Sequence, residues 1–242
     1  MKIKAVIIAG GLATRMGHLT KRIPKAMLSI KGKPIIARQI QVCKRYGVKD
    51  FYIAAGHLSH IICDYFAGDR KGININCFVE KKTLGTGGAL KQLESELDGD
   101  FLVIYGDMFF DINLKKLIDF HRRKKSDLTA VVHPNDYPQD CDLVKLNKNC
   151  RMTAVYKKPH GKKKIDTNLS NTGLYVFTKK ALGFIRKNKS CDIAQDILPA
   201  VVKKLKVFGY LTDEYIRDAG TPARFRQVTK DFTSGKTKIN LK

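Results

Sequence analysis

The chain has 242 residues, 43% of them hydrophobic, enough to bury one large core or a core with a small appendage. Its 46 lysines and arginines against 22 aspartates and glutamates leave a formal charge of +24, which invites a polyanionic partner. Nucleic acid is disfavoured, because basic residues run through every segment, with local runs at Arg122 to Lys125, Lys157 to Lys164 and Lys203 to Lys206, and no aromatic residues are interleaved with them. Solvated faces account for most of this charge, and the same field would steer a small polyphosphate. No segment approaches the roughly 18 consecutive apolar residues of a membrane span. The apolar start at Ala5 is too short and too glycine-bounded for a signal peptide, so a soluble cytoplasmic protein is expected. Six cysteines (Cys43, Cys63, Cys77, Cys141, Cys150, Cys191) lie scattered without a Cys-x-x-Cys pair, the pattern of reduced thiols and not of a disulfide frame or zinc site.

Helix and strand signals alternate over the first two thirds of the chain, as in an α/β protein whose mainly parallel sheet is covered by helices. Strands are predicted at Ala5 to Ala9, Phe51 to Ala55, Ile73 to Val79, Phe101 to Tyr105 and Leu128 to His133. Between them, Ile36, Ile40 and Cys43 share one helical face that Gly47 ends, and Ile61, Ile62, Tyr65 and Phe66 mark a second before Gly68. These stripes read as core. After His133 the rhythm changes to short strands at Asp142 to Leu146, Thr153 to Tyr156 and Gly173 to Phe177, then helices near Lys179 to Lys187 and Ile193 to Lys204. The stretch from Thr233 to Lys242 is polar and aperiodic, a surface extension or linker stub.

Chemistry concentrates where these strands end. Gly10-Gly11-Leu12-Ala13-Thr14-Arg15-Met16 follows the first strand, and Pro24-Lys25 comes shortly after. Glycines let the backbone turn its N–H groups outward and approach an anion closely, while Arg15 and Lys25 supply charge. Neither the Walker nor the Gly-x-Gly-x-x-Gly spacing is present. Leu84-Gly85-Thr86-Gly87-Gly88-Ala89 precedes a helix and would admit a flat base or ribose edge, or is simply a glycine-rich helix start. Asp107 in Tyr105-Gly106-Asp107 stands at a strand's rim, where a carboxylate can hold Mg2+. Arg217-Asp218-Ala219-Gly220-Thr221-Pro222 offers a second carboxylate before a helix capped by Thr221 with Pro222 first, and Asp218 otherwise reads as a cap or as an ion pair with Arg217. Lys158-Pro159 and Asn171-Thr172-Gly173 add a cation and an amide able to hydrogen-bond a polyol. Singly these signals are weak, and their co-occurrence carries the argument.

In this order and spacing, the residues from Lys4 to about Phe232 resemble the sugar-1-phosphate nucleotidyltransferases. The resemblance implies a Rossmann-like mixed, mainly parallel sheet with helices on both faces. It implies one domain over residues 1–232, its nucleotide-binding part about 1–133 and its sugar-binding part about 134–232, with 233–242 as the tail. Carried over by position, Gly10, Gly11, Thr14, Arg15 and Lys25 would bind the triphosphate, and Gly85, Thr86 and Gly88 the base or ribose. Asp107 and Asp218 would hold Mg2+, Lys158 would meet the sugar phosphate, and Asn171 and Gly173 the sugar ring. Arg15, Lys25 and Lys158 would be the catalytic cations. The segments His133-Pro134-Asn135-Asp136, Asp142-Leu143 and Lys158-Pro159-His160 are most similar to guanylyltransferases acting on mannose-type sugars, D-glycero-D-manno-heptose 1-phosphate in particular, which would place the chain in cell-surface polysaccharide biosynthesis with GTP as substrate.

Two departures stand out. Many relatives carry Glu before the Lys-Pro pair, in contact with sugar hydroxyls, where this chain has Lys157, so another group must hold the sugar. Ala13 replaces a frequent glycine, so that point of the loop is not expected to need positive φ. A homodimer is the default expectation for a soluble enzyme, and the resemblance leaves open association with a sugar phosphatase. An inactive sensing or assembly module of the same fold is the alternative, and the retention of Arg15, Lys25, Asp107 and Asp218 counts against it.

Overall fold

The computed structural model describes residues 3–68, 72–135, 138–161, 165–237 and 239. Its first elements are β1 (Lys4–Ala9), β2 (Ser29–Ile30), β3 (Lys33–Pro34), α1 (Ile35–Arg45), β4 (Asp50–Ala55), α2 (Ser59–Phe66) and β5 (Asn74–Val79). Then come α3 (Gly85–Gln92), β6 (Asp100–Tyr105), β7 (Met108–Asp111), α4 (Leu114–Arg123), β8 (Leu128–Pro134), β9 (Leu143–Leu146), β10 (Met152–Tyr156) and β11 (Leu169–Thr178). The chain ends with α5 (Lys179–Leu182), α6 (Leu198–Val201), β12 (Val207–Leu211), β13 (Tyr215–Asp218) and α7 (Pro222–Thr233). Two compact units result, one of residues 1–83, 102–114 and 214–242, the other of residues 84–101 and 115–213.

In the first unit the strand order is β6, β1, β4, β5, with β1 and β4 parallel in the register Ala5 to Phe51 and β4 parallel to β5. Val6, Ile7, Phe51 and Ile53 are fully buried, as expected for parallel strands without a solvent face. Helix α1 buries Ile36, Ile40 and Cys43, and Gly47 leaves it at φ 80°. Strands β7 and β13 form an antiparallel ribbon with Met108 opposite Asp218, and Thr221 caps α7 by accepting from the Arg224 backbone N–H. In the second unit β8 pairs antiparallel with β11 and parallel with β12, while β9 pairs antiparallel with β10 and β11. The β8–β11 register shifts between Asn171 and Tyr175, around Gly173 at φ 82°.

The five strands predicted before residue 134 are present to within a residue at each end. The rest needs correction. The helix predicted near Lys179 to Lys187 stops at Leu182, because the chain beyond Gly183 tightens into i→i+3 turns. The one predicted from Ile193 to Lys204 is a π turn over Ile193–Ile197 followed by α6, since Pro199 has no N–H to offer the ladder. Of the stripe on α2 only Ile62 and Phe66 are buried, and Tyr65 lies exposed against the Phe66 edge. Cys63 and Cys77 form a disulfide between α2 and β5, so those two thiols are not reduced. No spacing motif announces it, because tertiary packing brings the two residues together across 14 positions. Cys43, Cys141, Cys150 and Cys191 stand outside any disulfide. The tail is not purely a surface extension either. Thr237 and Ile239 are buried, and Arg45 donates to the Ile239 carbonyl at 3.4 Å. Asp136, Lys162 to Lys164, and Lys238 with residues 240–242 lie outside the described residues.

Candidate active site

The predicted phosphate-binding residues gather in the first unit. After β1 the chain runs through Gly10 and Gly11 to Ala13, which adopts φ 53° and heads two 3-10 turns within Thr14–Thr20 that break at Gly17, φ 58°. The expectation that Ala13 would avoid positive φ is therefore wrong. The loop must reverse here, and the Ala13 carbonyl accepts from Met16 N–H at 2.9 Å and from the Thr20 hydroxyl at 3.3 Å. Those bonds hold an alanine in a region that favours glycine. Gly56, which no motif singled out, makes the loop possible: a Cβ there would lie 2.6 Å from the Gly10 carbonyl oxygen.

Ala13, Thr14, Arg15, Lys25 and Gly220 line an open cavity of about 180 Å3. Lys25 Nζ pairs with Asp107 Oδ2 at 2.5 Å. Asp218 accepts from Arg224 Nη1 on both oxygens, at 3.1 and 3.0 Å, and its Oδ1 also accepts from the Gly220 N–H at 2.9 Å. The partner of Asp218 is thus Arg224 and not the adjacent Arg217, which reaches Asp231 instead at 3.5 Å. Gly220 marks where these groups converge. A Cβ built on it would stand 2.6 Å from Asp218 Oδ1, 3.4 Å from Arg15 Nη2 and 3.5 Å from Asp107 Oδ2. Arg15, Lys25, Asp107 and Asp218, spread over two hundred positions, therefore border one space.

The turn that carries Asp107 is held from beneath. Gln39, buried on α1, donates through Nε2 to the Tyr105 carbonyl at 2.9 Å and to the Met108 carbonyl at 2.6 Å, the residues flanking Gly106-Asp107. Ala219 N–H donates to the Asp107 carbonyl at 2.8 Å, which links the two carboxylate-bearing turns. The sequence signal for Gln39 was a polar residue in the apolar stripe of α1, where burial requires bonding partners.

The donor set suits a hard cation. Two carboxylates share the space at Gly220, and among the described residues no cluster of three His, Cys, Asp or Glu side chains is present. Mg2+ fits such a site, since it keeps several waters and takes one or two carboxylates together with substrate phosphates. A zinc centre would want more ligands from the protein.

The remaining predicted residues belong to the second unit. Gly85 opens α3 at φ 71°, and a Cβ there would lie 2.5 Å from the Cys191 carbonyl oxygen, so only glycine fits. Cys191 N–H donates to the Leu84 carbonyl and Gly87 N–H to the Cys191 carbonyl, both at 2.9 Å. Thr86 donates its hydroxyl to Asp192 Oδ2 and accepts from the Ile193 N–H, each at 2.8 Å. Its hydroxyl thus serves the loop's own architecture. Gly88 is buried against Leu84 and the Lys189 carbonyl. Burial first, then Asp196 and Asp192, push the Cys191 thiol above its ordinary range, so it stays a neutral packing group.

Lys158 and Asn171 come together through Asp142, and Gly173 follows Asn171 on β11. Asp142 Oδ1 accepts from the Lys158 backbone N–H at 3.0 Å, and the Asp142 carbonyl from the Asn171 N–H at 3.0 Å. Lys158 Nζ donates to the Asp140 carbonyl at 3.1 Å, which leaves its other protons for a ligand. Val155 to His160 and Ile165 line a second cavity of about 380 Å3. Lys157 is exposed.

Residues 4–235 match the nucleotidyl transferase family model. The D-glycero-alpha-D-manno-heptose 1-phosphate guanylyltransferase of Campylobacter jejuni is 30% identical, with 91% of this chain and 96% of that protein covered. The mannose-1-phosphate guanylyltransferase of Mycobacterium tuberculosis is 26% identical over 97% of this chain, which spans 66% of that longer relative. The crystal structure of HddC from Yersinia pseudotuberculosis superposes with a TM-score of 0.81 at 25% identity, covering 95% of this chain and 99% of HddC. No described helix is long and apolar enough to cross a membrane. The chain belongs to the nucleotidyl transferase family, with the mixed, mainly parallel fold and the sugar-1-phosphate nucleotidyltransferase kinship that its motifs led one to expect.

Proposed function

We propose that the chain joins a nucleoside triphosphate, GTP by preference, to D-glycero-D-manno-heptose 1-phosphate or mannose 1-phosphate, giving the NDP-sugar and pyrophosphate. The observation that carries this reading is the gathering of Arg15, Lys25, Asp107 and Asp218 around Gly220, at the mouth of a cavity of about 180 Å3. The guanylyltransferases named above support GTP and a mannose-type sugar.

The chemistry follows from charge. A phosphate monoester has a second pKa of about 6, so the attacking phosphate oxygen is largely ionised near neutrality and needs no general base. Both reactants are anions, and their repulsion is the obstacle. Arg15 and Lys25 would neutralise the triphosphate, and Lys158 the sugar phosphate, while the α-phosphorus is attacked in line as pyrophosphate departs. Mg2+, held by Asp107 and Asp218, would supply further charge neutralisation at the polyphosphate. Gly10, Gly11 and Thr14 would approach the phosphates, Gly85 and Gly88 the base or ribose, and Asn171 and Gly173 the sugar ring. Product formation belongs to a step that supplies activated sugar for cell-surface polysaccharide.

The test is a matrix of GTP, ATP, UTP and CTP against mannose, glucose and D-glycero-D-manno-heptose 1-phosphates, scored by NDP-sugar mass and pyrophosphate release. GDP-linked heptose or mannose as the dominant product is expected. Absence of any NDP-sugar from folded protein would overturn the reading in favour of a non-catalytic module.

A further inference from the structure

Asp142 is a half-buried carboxylate in the midst of the second unit's predicted sugar residues, and the reaction as described gives it no role. Three consecutive residues around it are fastened to the Lys158-Pro159-His160 segment. The Asp140 carbonyl accepts from Lys158 Nζ, the Cys141 carbonyl from the buried His160 Nε2 at 2.9 Å, and Asp142 Oδ1 from the Lys158 N–H at 3.0 Å. Gln195 Nε2 adds a fourth bond, to Asp142 Oδ1 at 2.7 Å. This is far more anchorage than a loop aspartate needs for solubility. All of the anchorage to the side chain falls on one oxygen. Among the described residues Oδ2 has no partner.

A second acceptor nearby also lacks a donor. Asn171, whose N–H bonds the Asp142 carbonyl, donates through Nδ2 to the Tyr175 hydroxyl at 2.7 Å, and its Oδ1 is buried without a partner among the described residues. Asn171 Oδ1, being buried, is costly to leave unpaired unless a ligand or water donates to it, while Asp142 Oδ2 is the unpartnered oxygen of a half-buried carboxylate. An ammonium at Lys158 together with hydroxyl-seeking acceptors at Asp142 and Asn171 matches a molecule that carries a phosphate and a row of hydroxyls. Lys157 cannot accept a hydrogen bond, so the carboxylate that the resemblance places before Lys158 is missing there.

We propose that Asp142 Oδ2 is the acceptor for a ring hydroxyl of the sugar 1-phosphate and a determinant of which sugar is used. The proposal rests on the reading of the chain as a sugar-1-phosphate nucleotidyltransferase. Asp142→Asn keeps an oxygen for Lys158 N–H and Gln195 and exchanges Oδ2 for a donor.

Steady-state kinetics with the best NTP and sugar pair tests it. In Asp142→Asn the sugar 1-phosphate KM is expected to rise about ten- to hundredfold while the NTP KM stays within twofold. Wild-type enzyme is expected to lose a similar factor in kcat/KM on one member of a panel of monodeoxy sugar 1-phosphates, and Asp142→Asn to lose nothing further on that member. An unchanged sugar KM in an active variant, an equal rise in the NTP KM, or a wild type indifferent to every deoxy analogue would overturn the role of Asp142 alone. Failure of wild type to make any NDP-sugar would overturn the functional reading and this proposal with it.

Discussion

The two units hold their functional groups in opposite ways. In the first, four charged side chains from distant parts of the chain border one space, and each carboxylate there has its own cation: Asp107 has Lys25, and Asp218 has Arg224. In the second, the groups around Lys158 are fixed by bonds between two loop segments, 140–142 and 158–160, and much of that bonding goes through backbone atoms. The difference teaches what each half needs. A site for a triphosphate must concentrate charge without collapsing on itself, which paired carboxylates and cations achieve. A site that reads hydroxyls needs rigid acceptors more than net charge.

Variants in the first unit should therefore strike turnover, and the largest effect belongs to Asp107→Asn or Asp218→Asn. Either is expected to lower kcat about 10^2- to 10^3-fold, as for removal of a group that stabilises developing charge, with an unchanged melting curve. The Mg2+ concentration needed for half-maximal rate should rise as well. Near-normal turnover in both variants would break the comparison at its root, since the paired charges would then be scaffold only.

Lys158→Ala probes the other side. Here the expected effect is an increase of about tenfold or more in the KM for the sugar 1-phosphate, with the NTP KM unaltered and the loop intact, because the bond to Asp142 comes from the backbone. A change confined to the NTP KM would show that this lysine serves the nucleotide, and the division of labour between units would have to be redrawn.

How much of this was legible in the sequence differs between the two regions for the same physical reason. The strands buried on both faces announce themselves as apolar runs, so β1, β4, β6 and β8 could be read directly, while the edge strand β5, with no fully buried residue, shows itself by Ile75, Cys77 and Val79 at alternate positions. The four charged residues of the first unit could be picked out because glycines and strand ends flag them locally. Their pairing could not, since Lys25 meets Asp107 only through the fold and Asp218 takes Arg224 instead of its neighbour Arg217. Ribbon β7–β13 joins segments a hundred residues apart, and neither strand is long enough to show a period. Helix α4 buries Leu114, Leu117, Ile118 and His121 at helical spacing, but its charged face dominates the segment and masks that period. Asp142 was seen only as part of a family signature, because its anchoring by Lys158, Gln195 and Asn171 is wholly tertiary.

Gln39 offers a subtler way to sharpen the contrast. It touches no substrate-facing group, yet its amide binds the carbonyls on both sides of the Asp107 turn. Gln39→Leu would remove one donor from each of two carbonyls, at a cost of about 1 kcal/mol per lost bond. The expected result is a loss of roughly tenfold in kcat with both KM values nearly unchanged, and a melting temperature lower by several degrees. A stability loss without any change in kcat would make Gln39 a core residue and nothing more.

The smallest effect is expected at Ala13. Its left-handed backbone costs an alanine about 1–2 kcal/mol, which glycine would escape. Glycine in turn loses more freedom on folding, by roughly 0.5–1 kcal/mol. Ala13→Gly should therefore come out stabilising by about 0.5 kcal/mol, a rise of 1–2 °C in a chain of this size, with the NTP KM unchanged because the loop path is preserved. Ala13→Val should move the opposite way, since a β-branched side chain tolerates positive φ least. If thermal melts ranked valine above glycine, the loop would have to follow another path after Gly11, and the cradle formed by Ala13, Thr14 and Arg15 would lose its geometric basis.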